Sequence, residues 1–286
     1  MSCARASWHF SCALVLAGCV VAAAGCSPSK TTTASSNCTP LGLATHTKGT
    51  FTIATDEPAY PPWFVDDRPA NGKGFESAVA FAVAKQLGYP AGKVKWVVAR
   101  FDSVVTPGPK KFDVDINEVS ITAARKKAVD FTSGYYTVTQ ALIALKSSPL
   151  ASATTIAALK NAKLGAQIGT TSYDTITDVI RPSKSPSVFQ TNDVAKLALK
   201  NGQIQGLLTD LPTAFEITGA EITDAKIVGQ FARSGSGGEQ FGMVLQKGSP
   251  ITSCVSKAVT ALQKNGTLGK LRQQWLSTDA GAPILK

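Results

Sequence analysis

Apolar and polar residues along the chain alternate between the spacing of strands and the spacing of helices. Residues 49–55 alternate and are rich in β-branched side chains, a pattern that predicts a strand. Residues 75–87 carry an apolar residue at every fourth position, as on the buried face of a helix. Further strands are predicted at residues 94–98 and 112–116, and a short basic helix from Thr122. Strands and helices in this order indicate an α/β domain with a parallel sheet.

The second half of the chain repeats this order. Residues 163–168 predict a strand that runs into the start of a helix at residues 169–172. Asp193 is the predicted N-cap of the next helix, and residues 204–208 predict a strand that leads to Asp210. Two more amphipathic helices are predicted near the C terminus. A chain of 286 residues has the length for two such domains.

The N terminus predicts secretion. Arg5 is the only charged residue among the first 29, and residues 12–26 form an apolar stretch that ends in small residues and a cysteine. A basic residue, an apolar core and small residues at its end are the pattern of a secretory signal. An uncleaved transmembrane anchor is the alternative interpretation of the same stretch.

Two cysteines resemble the lipid-modified cysteine of bacterial lipoprotein signals. Cys19 follows Leu-Ala-Gly, which fits the letters of that pattern better. Cys26 is followed by a polar stretch of Ser, Thr and Lys that suits a flexible tether. We therefore take residues 1–25 as the signal peptide and residues 26–48 as lipid anchor and tether, with Cys19 as the alternative site.

The remaining cysteines predict a disulfide. Three of the six cysteines leave with the signal peptide, and Cys26 carries the lipid. Cys38 and Cys254 remain as an even pair in an oxidising compartment, which favours a bond between them. Two free buried thiols are the alternative.

The net charge of +10 raises the question of nucleic acid. Lys and Arg are scattered along the chain, and no basic run is interleaved with aromatic residues. A solvated basic surface is the favoured interpretation, and attraction to anionic lipid headgroups is a second one. We expect no nucleic-acid partner.

Five segments in order carry a resemblance to a known family. They are Tyr-Pro-Pro-Trp at 60–63 with Gly-Phe-Glu at 74–76, Phe-Asp-Val-Asp-Ile at 112–116, Ser-Ile-Thr at 120–122 with Arg-Lys-Lys-Ala-Val-Asp-Phe-Thr at 125–132, Gly-Ala-Gln-Ile-Gly-Thr-Thr-Ser at 165–172, and Asn-Gly-Thr-Leu at 265–268. Together they resemble the polar amino-acid-binding family of bacterial extracellular solute-binding proteins, the substrate-binding lipoproteins of ABC transporters.

This resemblance implies a two-lobed periplasmic-binding-protein-like fold of type II, with two α/β domains, two hinge strands and a ligand cleft between the domains. The implied boundaries are lobe 1 at residues 49–134 plus 245–286, lobe 2 at residues 140–240, and hinges at residues 135–139 and 241–244.

The resemblance also assigns roles to residues that would hold the backbone of a free amino acid. Arg125 matches the family's carboxylate-binding arginine, and a guanidinium can grip both carboxylate oxygens where a lysine cannot. Ser120 and Thr171 would add hydroxyl and N–H donors to the ligand, and Asp210 would hold its α-ammonium group. The alternatives are a surface arginine, helix capping by Thr171, and helix capping by Asp210 before a proline.

Further residues would surround the ligand side chain. Tyr60 and Phe101 match positions whose rings sandwich it, although core packing is the alternative for Phe101, and Trp63 is assigned to packing. Asp56 and Glu118 would lie at its far end and favour a polar or basic amino acid, although Glu118 departs from the family pattern. Thr170 and Gln167 complete the set of predicted ligand-binding residues.

The implied function is capture of a free L-amino acid and delivery to the membrane permease of an ABC transporter. We expect a monomer without cofactor or metal, held by its lipid anchor on the outer face of the cell membrane or in the periplasm.

Two other classes of function compete with this one. The first is an enzyme on the same fold, similar to cyclohexadienyl or arogenate dehydratases, and the second is a ligand-sensing module on the cell surface. His9 lies in the predicted signal and His46 in the tether, so the folded body has no histidine for acid–base chemistry or zinc. Acid–base work by Glu118 remains open.

Overall fold

Two five-stranded sheets organise the part of the chain that the structure, a computed structural model, describes, namely residues 38–232, 238–276 and 281–286. The predicted signal peptide and both candidate lipidation sites, Cys19 and Cys26, lie outside these residues. Within them, no helix has the length and apolar character needed to cross a membrane.

The strands and helices alternate along much of the chain, as the sequence predicts. The strands are β1 (Phe51–Thr55), β2 (Val94–Val98), β3 (Val114–Asp115), β4 (Val129–Phe131), β5 (Tyr136–Val138), β6 (Gln140–Leu145), β7 (Leu164–Gln167), β8 (Ser187–Phe189), β9 (Gly206–Asp210), β10 (Ala225–Gln230), β11 (Glu239–Phe241) and β12 (Val244–Gln246). The helices are α1 (Phe75–Gln86), α2 (Phe101–Val104), α3 (Arg125–Ala128), α4 (Thr171–Asp174), α5 (Asn192–Lys200), α6 (Leu211–Glu216), α7 (Thr252–Lys264) and α8 (Thr267–Trp275). Helices α4 and α6 continue as π-helical turns at Thr175–Ile180 and Ile217–Glu221.

The first lobe is built on the sheet β2-β1-β3-β12-β4. Strand β1 pairs in parallel with β2 and β3, and β12 pairs antiparallel with β3 and β4. Phe51, Trp63 and Phe75 are fully buried in its largest apolar cluster, which also includes the inner faces of α1 and α7. Burying this apolar surface is the main favourable term that holds the lobe together.

The second lobe is built on the sheet β10-β6-β9-β7-β8. Strand β7 pairs in parallel with β8 and β9, and β6 pairs antiparallel with β9 and β10. Separate apolar clusters cover its two faces, with Leu142 and Leu208 in one and Ile143 and Leu207 in the other. This alternation along β6 and β9 is what a strand buried on both faces produces.

Strands β5 and β11 form a two-stranded antiparallel ladder beside the two sheets, with Tyr136 opposite Phe241. The chain runs from this ladder directly into β6 of the second sheet and β12 of the first. The predicted hinges at residues 135–139 and 241–244 fall on or beside these strands.

The C-terminal residues 281–286 lie on the second lobe. Leu285 is buried in the second lobe's core, and the main chain of Lys286 accepts a hydrogen bond from the Ile156 N–H at 2.8 Å. The predicted boundary, which gave residues 245–286 to the first lobe, is therefore corrected for this segment. Because α8 belongs to the first lobe, the chain passes between the lobes a third time.

The predicted disulfide is present in the structure. Cys38 and Cys254 are bonded, with their Cα atoms 5.4 Å apart. Cys254 lies on the buried face of α7, so the bond fixes residue 38 to the core of the first lobe.

Two predicted elements differ locally from the structure. The strand predicted at residues 112–116 is regular only at Val114–Asp115, although the main-chain N–H groups of Asp113 and Ile116 also donate to carbonyls of β1. The N-cap of α5 is Thr191 and not Asp193, because the Thr191 hydroxyl accepts the bond from the Val194 N–H.

Candidate functional site

A cavity opens between the two lobes where several strands end. The space between its lining atoms, counted together with the opening to solvent, is about 430 Å³. The lining residues are Asp56, Tyr60, Phe101, Asn117, Glu118, Arg125, Gln167, Thr170, Thr171, Asn192 and Asp210. All the predicted ligand-binding residues except Ser120 are in this set, and the Ser120 hydroxyl lies 3.4 Å from that of Thr171.

The positions of these residues follow from the topology of the two sheets. Asp56 follows β1 and Asn117 follows β3, while Gln167 and Asp210 are the last residues of β7 and β9. Ligands of open α/β sheets bind at the carboxyl ends of the strands, where such residues converge. Two sheets that face each other at these ends therefore place polar side chains on both walls of one cavity.

Arg125 is the first residue of α3 and reaches across the cavity. Its Nη1 donates to the Ser120 carbonyl at 2.7 Å and its Nη2 to the Gly169 carbonyl at 2.8 Å. Its Cζ lies 5.4 Å from the centre of the Phe101 ring, within the range of a cation–π contact. Burial lowers the pKa of Arg125, but an arginine stays charged at neutral pH.

Asp210 faces Arg125 from the second lobe. It precedes α6 in the N-cap position, yet its described hydrogen bond comes from the side-chain amide of Gln140 at 2.7 Å. Burial, followed by the nearby charge of Glu239, raises the pKa of Asp210 well above its ordinary value. A cation placed beside this carboxylate would favour its ionised form.

The two threonines at the start of α4 have different roles. The Thr170 hydroxyl caps the helix by accepting from the Tyr173 N–H at 3.3 Å. The Thr171 hydroxyl points to the cavity and donates to the Glu239 carboxylate at 2.5 Å. Capping, the alternative for Thr171, is performed by its neighbour Thr170. The main-chain N–H groups of this first helical turn attract anions.

The first-lobe wall of the cavity is acidic. Asp56 and Glu118 line it, and burial raises the pKa of both carboxyls. For Glu118 the nearby charges of Glu76 and Asp210 raise the pKa further. Glu118 also has a left-handed backbone with φ of 53°, and its N–H donates to the Glu76 carboxylate at 2.7 Å. This bond stabilises a conformation that a non-glycine residue rarely adopts.

A hydrogen-bond relay joins the acidic wall of the cavity to the second lobe. The Trp63 indole N–H donates to the Thr213 hydroxyl at 2.8 Å, and that hydroxyl donates to the Glu118 carboxylate at 3.0 Å. Trp63 and Glu118 belong to the first lobe, whereas Thr213 lies on α6 of the second. Trp63 is fully buried, so its assignment to packing is confirmed.

The two predicted aromatic residues both line the cavity. Phe101 is 8% exposed and also packs in a small apolar cluster with Val104 and Val119. The hydroxyl of Tyr60 accepts from the Asp193 N–H at 3.4 Å, and Lys196 lies 5.0 Å from its ring centre. Tyr60 therefore contacts the second lobe as well as the cavity.

Four residues of the site have no counterpart in the sequence prediction. Asn117 and Asn192 line the cavity, whereas Gln140 is hydrogen-bonded to Asp210 and Glu239 to Thr171. Gln140 begins β6, which follows the ladder, and Glu239 begins the ladder strand β11. No spacing in the sequence joins two positions 99 residues apart. Only Asn117 could have been found from the sequence, because it follows a predicted strand and precedes Glu118.

Comparison with known proteins gives the site a context. Residues 51–278 match the family described as bacterial extracellular solute-binding proteins, family 3. The L-cystine-binding protein TcyJ of Escherichia coli K12 is 29% identical over 244 residues, which cover 81% of this chain and 84% of that protein.

Solved structures agree with this match. An ancestral arginine-binding protein bound to glutamine has a TM-score of 0.67 and 30% identity, and the match covers 80% of this chain and 99% of that one. An ancestral amino acid-binding protein that is a precursor of cyclohexadienyl dehydratase has a TM-score of 0.65 and 28% identity, covering 79% and 94%.

Proposed function

The chain belongs to the bacterial extracellular solute-binding proteins of family 3, and from this membership we propose that it binds a free L-amino acid, with polar or basic side chains preferred, and delivers it to the permease of an ABC transporter. The L-cystine-binding and arginine-binding relatives support amino acids as the ligand class. Their differing ligands leave the choice of amino acid to the residues of this cavity.

The observation that carries the proposal is that Arg125 of the first lobe and Asp210 of the second line the same cavity. A free amino acid carries a carboxylate and an ammonium group that must both be satisfied in a desolvated site. Arg125 has five N–H donors, of which two meet the Ser120 and Gly169 carbonyls. In the proposal the others bind the ligand carboxylate, while Thr171 adds donors and Asp210 binds the ammonium.

The side-chain preference rests on the carboxyl and amide groups that line the cavity. Asp56 and Glu118 supply two carboxyl groups there, and Asn117 and Asn192 supply amide groups. A cationic or amide side chain can pair with these groups, whereas a carboxylate would meet like charges. In the proposal Tyr60 and Phe101 cover the aliphatic part of the ligand, and Gln167 and Thr170 close the wall of the second lobe.

Closure of the two lobes is the proposed mechanism of capture. The ligand binds first to Arg125 and Ser120 on lobe 1, and the second lobe then adds its donors. We propose residues 135–139 and 241–244 as the hinges, with lobe 1 at residues 49–134 and 245–276 and lobe 2 at residues 140–240. The closed pair of lobes is the form that the permease would recognise.

The location of the protein follows in part from its family. A family of extracellular solute-binding proteins supports an extracytoplasmic location. We propose in addition that the mature chain is a monomer anchored by lipid at Cys26, with Cys19 as the alternative. Mass spectrometry of the membrane-extracted protein would identify the modified cysteine and the cleavage site.

Substitution of Arg125 tests the binding function. A thermal-shift screen of the common amino acids first identifies the ligand, because a ligand that binds only the folded form raises the melting temperature. With that ligand we expect Arg125→Ala to weaken binding by about 2–5 kcal/mol in calorimetry, since the carboxylate loses its charged partner. Arg125→Lys keeps the charge but cannot bind both carboxylate oxygens, so its affinity should lie between those of the wild type and Arg125→Ala. Unchanged affinity in Arg125→Ala would reject this role.

A catalytic role is the second candidate. It rests on the similarity to a precursor of cyclohexadienyl dehydratase and on the half-buried Glu118, whose raised pKa suits a general acid. The family relatives are substrate-binding proteins, which favours binding without turnover. Incubation with prephenate or arogenate, followed by detection of the aromatic product, decides between the two candidates.

A further inference from the structure

Glu239 holds the hydroxyl groups that the proposed function assigns to the ligand. It is the first residue of β11, and its Oε1 accepts from the Ser120 Oγ at 2.5 Å and from the Thr171 Oγ1 at 2.5 Å. The Gln140 amide lies 3.2 Å from both of its carboxylate oxygens. A carboxylate of the protein therefore sits among donors suited to a ligand carboxylate.

These donors come from both walls of the cleft. Ser120 follows β3 of the first lobe and is paired through its main chain with Phe241. Thr171 begins α4 and Gln140 begins β6, both in the second lobe. The side-chain carbonyl of Gln140 accepts from the Ser172 hydroxyl at 2.6 Å. This bond holds the side chain in place and turns its NH2 group toward Glu239. Glu239 thus connects the two lobes through side-chain hydrogen bonds.

Glu239 and a ligand carboxylate would compete for the same protons. Each hydroxyl has one proton to donate, so Ser120 and Thr171 can serve one carboxylate at a time with full strength. A second carboxylate, that of Asp210, already accepts from the same Gln140 amide at 2.7 Å. Arg125 is the only cationic residue among the described lining residues. A further anion entering this region therefore meets repulsion from two carboxylates.

We propose that Glu239 is a latch: bound to Ser120, Thr171 and Gln140, it occupies the ligand's carboxylate subsite, holds the two lobes together without ligand, and must be displaced for an amino acid to bind. This inference rests on the proposed function for the identity of the competitor, but the link between the lobes is a property of the protein alone. The latch lowers the affinity for every α-amino acid, because all of them share the carboxylate. It does not choose among side chains.

Two substitutions at this position test the competition. Glu239→Ala removes the carboxylate, and Glu239→Gln keeps its size but removes its charge. We expect calorimetry to show that Glu239→Ala binds the amino acid about tenfold more tightly than the wild type, with Glu239→Gln between the two, because hydrogen bonds to a charged group no longer have to be broken. Gln240→Ala, at the exposed next position of the same strand, is the control and should leave the affinity unchanged.

The sign of the change separates the possible roles of Glu239. Affinities within twofold of the wild type would overturn the latch. Weaker binding in both variants would also overturn it and would assign Glu239 to the ligand's ammonium group beside Asp210. If Glu239→Ala does not fold, as judged by circular dichroism, Glu239→Gln carries the comparison by itself.

A second measurement tests the latch without any ligand. Small-angle X-ray scattering of the ligand-free proteins should give a larger radius of gyration for Glu239→Ala than for the wild type and for Gln240→Ala, because the link between the lobes is lost. Equal radii would overturn the latch whatever the affinities are. If neither the wild type nor the variants bind an amino acid, the proposed function fails, and the scattering comparison decides on the latch independently.

Discussion

Replacing Thr213 by valine should destabilise the closed form of the cleft without changing the residues proposed to bind the ligand's charged groups. The Thr213 hydroxyl accepts from the Trp63 indole at 2.8 Å and donates to the Glu118 carboxylate at 3.0 Å. Valine has nearly the same shape, so the apolar packing of α6 is kept while both bonds are lost. Because water can reach the separated groups when the lobes part, the loss falls on the closed form.

The size of the effect follows from the two bonds. A hydrogen bond of this kind contributes about 0.5–1.5 kcal/mol net, so their joint loss destabilises the closed form by about 1–3 kcal/mol. An amino acid that binds only on closure should therefore bind Thr213→Val roughly 5- to 160-fold more weakly. Trp63 is fully buried and Thr213 is 3% exposed. Little water can replace the lost bonds in the closed form, which favours the upper part of this range.

Isothermal titration calorimetry with the ligand from the thermal-shift screen measures this loss. Thr213→Ser is the matched control, because it keeps the hydroxyl and removes one methyl group, and it should stay within a few-fold of the wild type. Two results would refute the reasoning: an affinity of Thr213→Val within twofold of the wild type, or equal losses in the serine and valine variants. The second result would assign the effect to packing.

Two predictions concern the stability of the fold. Replacing Cys38 and Cys254 by serine should lower the free energy of unfolding by roughly 5 kcal/mol, since the bond closes a loop with a sequence separation of 216. Denaturant titration measures this loss, and a value below about 1 kcal/mol would contradict its entropic origin. Burial raises the pKa of Glu76 to about 7, so the folded protein binds its proton more tightly than the unfolded chain, and stability should fall as pH rises from 4.5 to 7. Glu76→Gln should remove roughly 2–3 kcal/mol of that decline. Equal pH slopes for the wild type and Glu76→Gln would contradict this prediction.

Local sequence patterns predict the regular elements well where one face is apolar. The predicted strand at 94–98 has the observed bounds of β2, and α1 ends at Gln86, one residue before the predicted end. Local patterns do not predict strands β5 and β11, because each is three residues long and they pair across about a hundred positions. The placement of residues 281–286 on the second lobe likewise depends on tertiary contacts of Leu285 that no local pattern contains.

The site divides in the same way. Arg125 and Thr171 stand in segments that resemble the family, and Asp210 follows a predicted strand. The structure brings all three to one cavity. Their roles in binding stay predictions until a ligand is measured. Glu239 has no segment of its own, because its position beside Ser120 arises from the pairing of β11 with the loop after β3. A residue that acts through long-range pairing is invisible to spacing along the chain.

The two ends of the described chain are attached to different lobes, so the distance between them reports the relative position of the lobes. Residue 41 follows the cysteine that is bonded to α7, and its side chain is 88% exposed. Lys286, also exposed, is fastened to the second lobe through its main chain. Fluorescent dyes attached at these two positions would change their separation whenever the cleft opens or shuts, which turns ligand capture into an optical signal without touching the cavity.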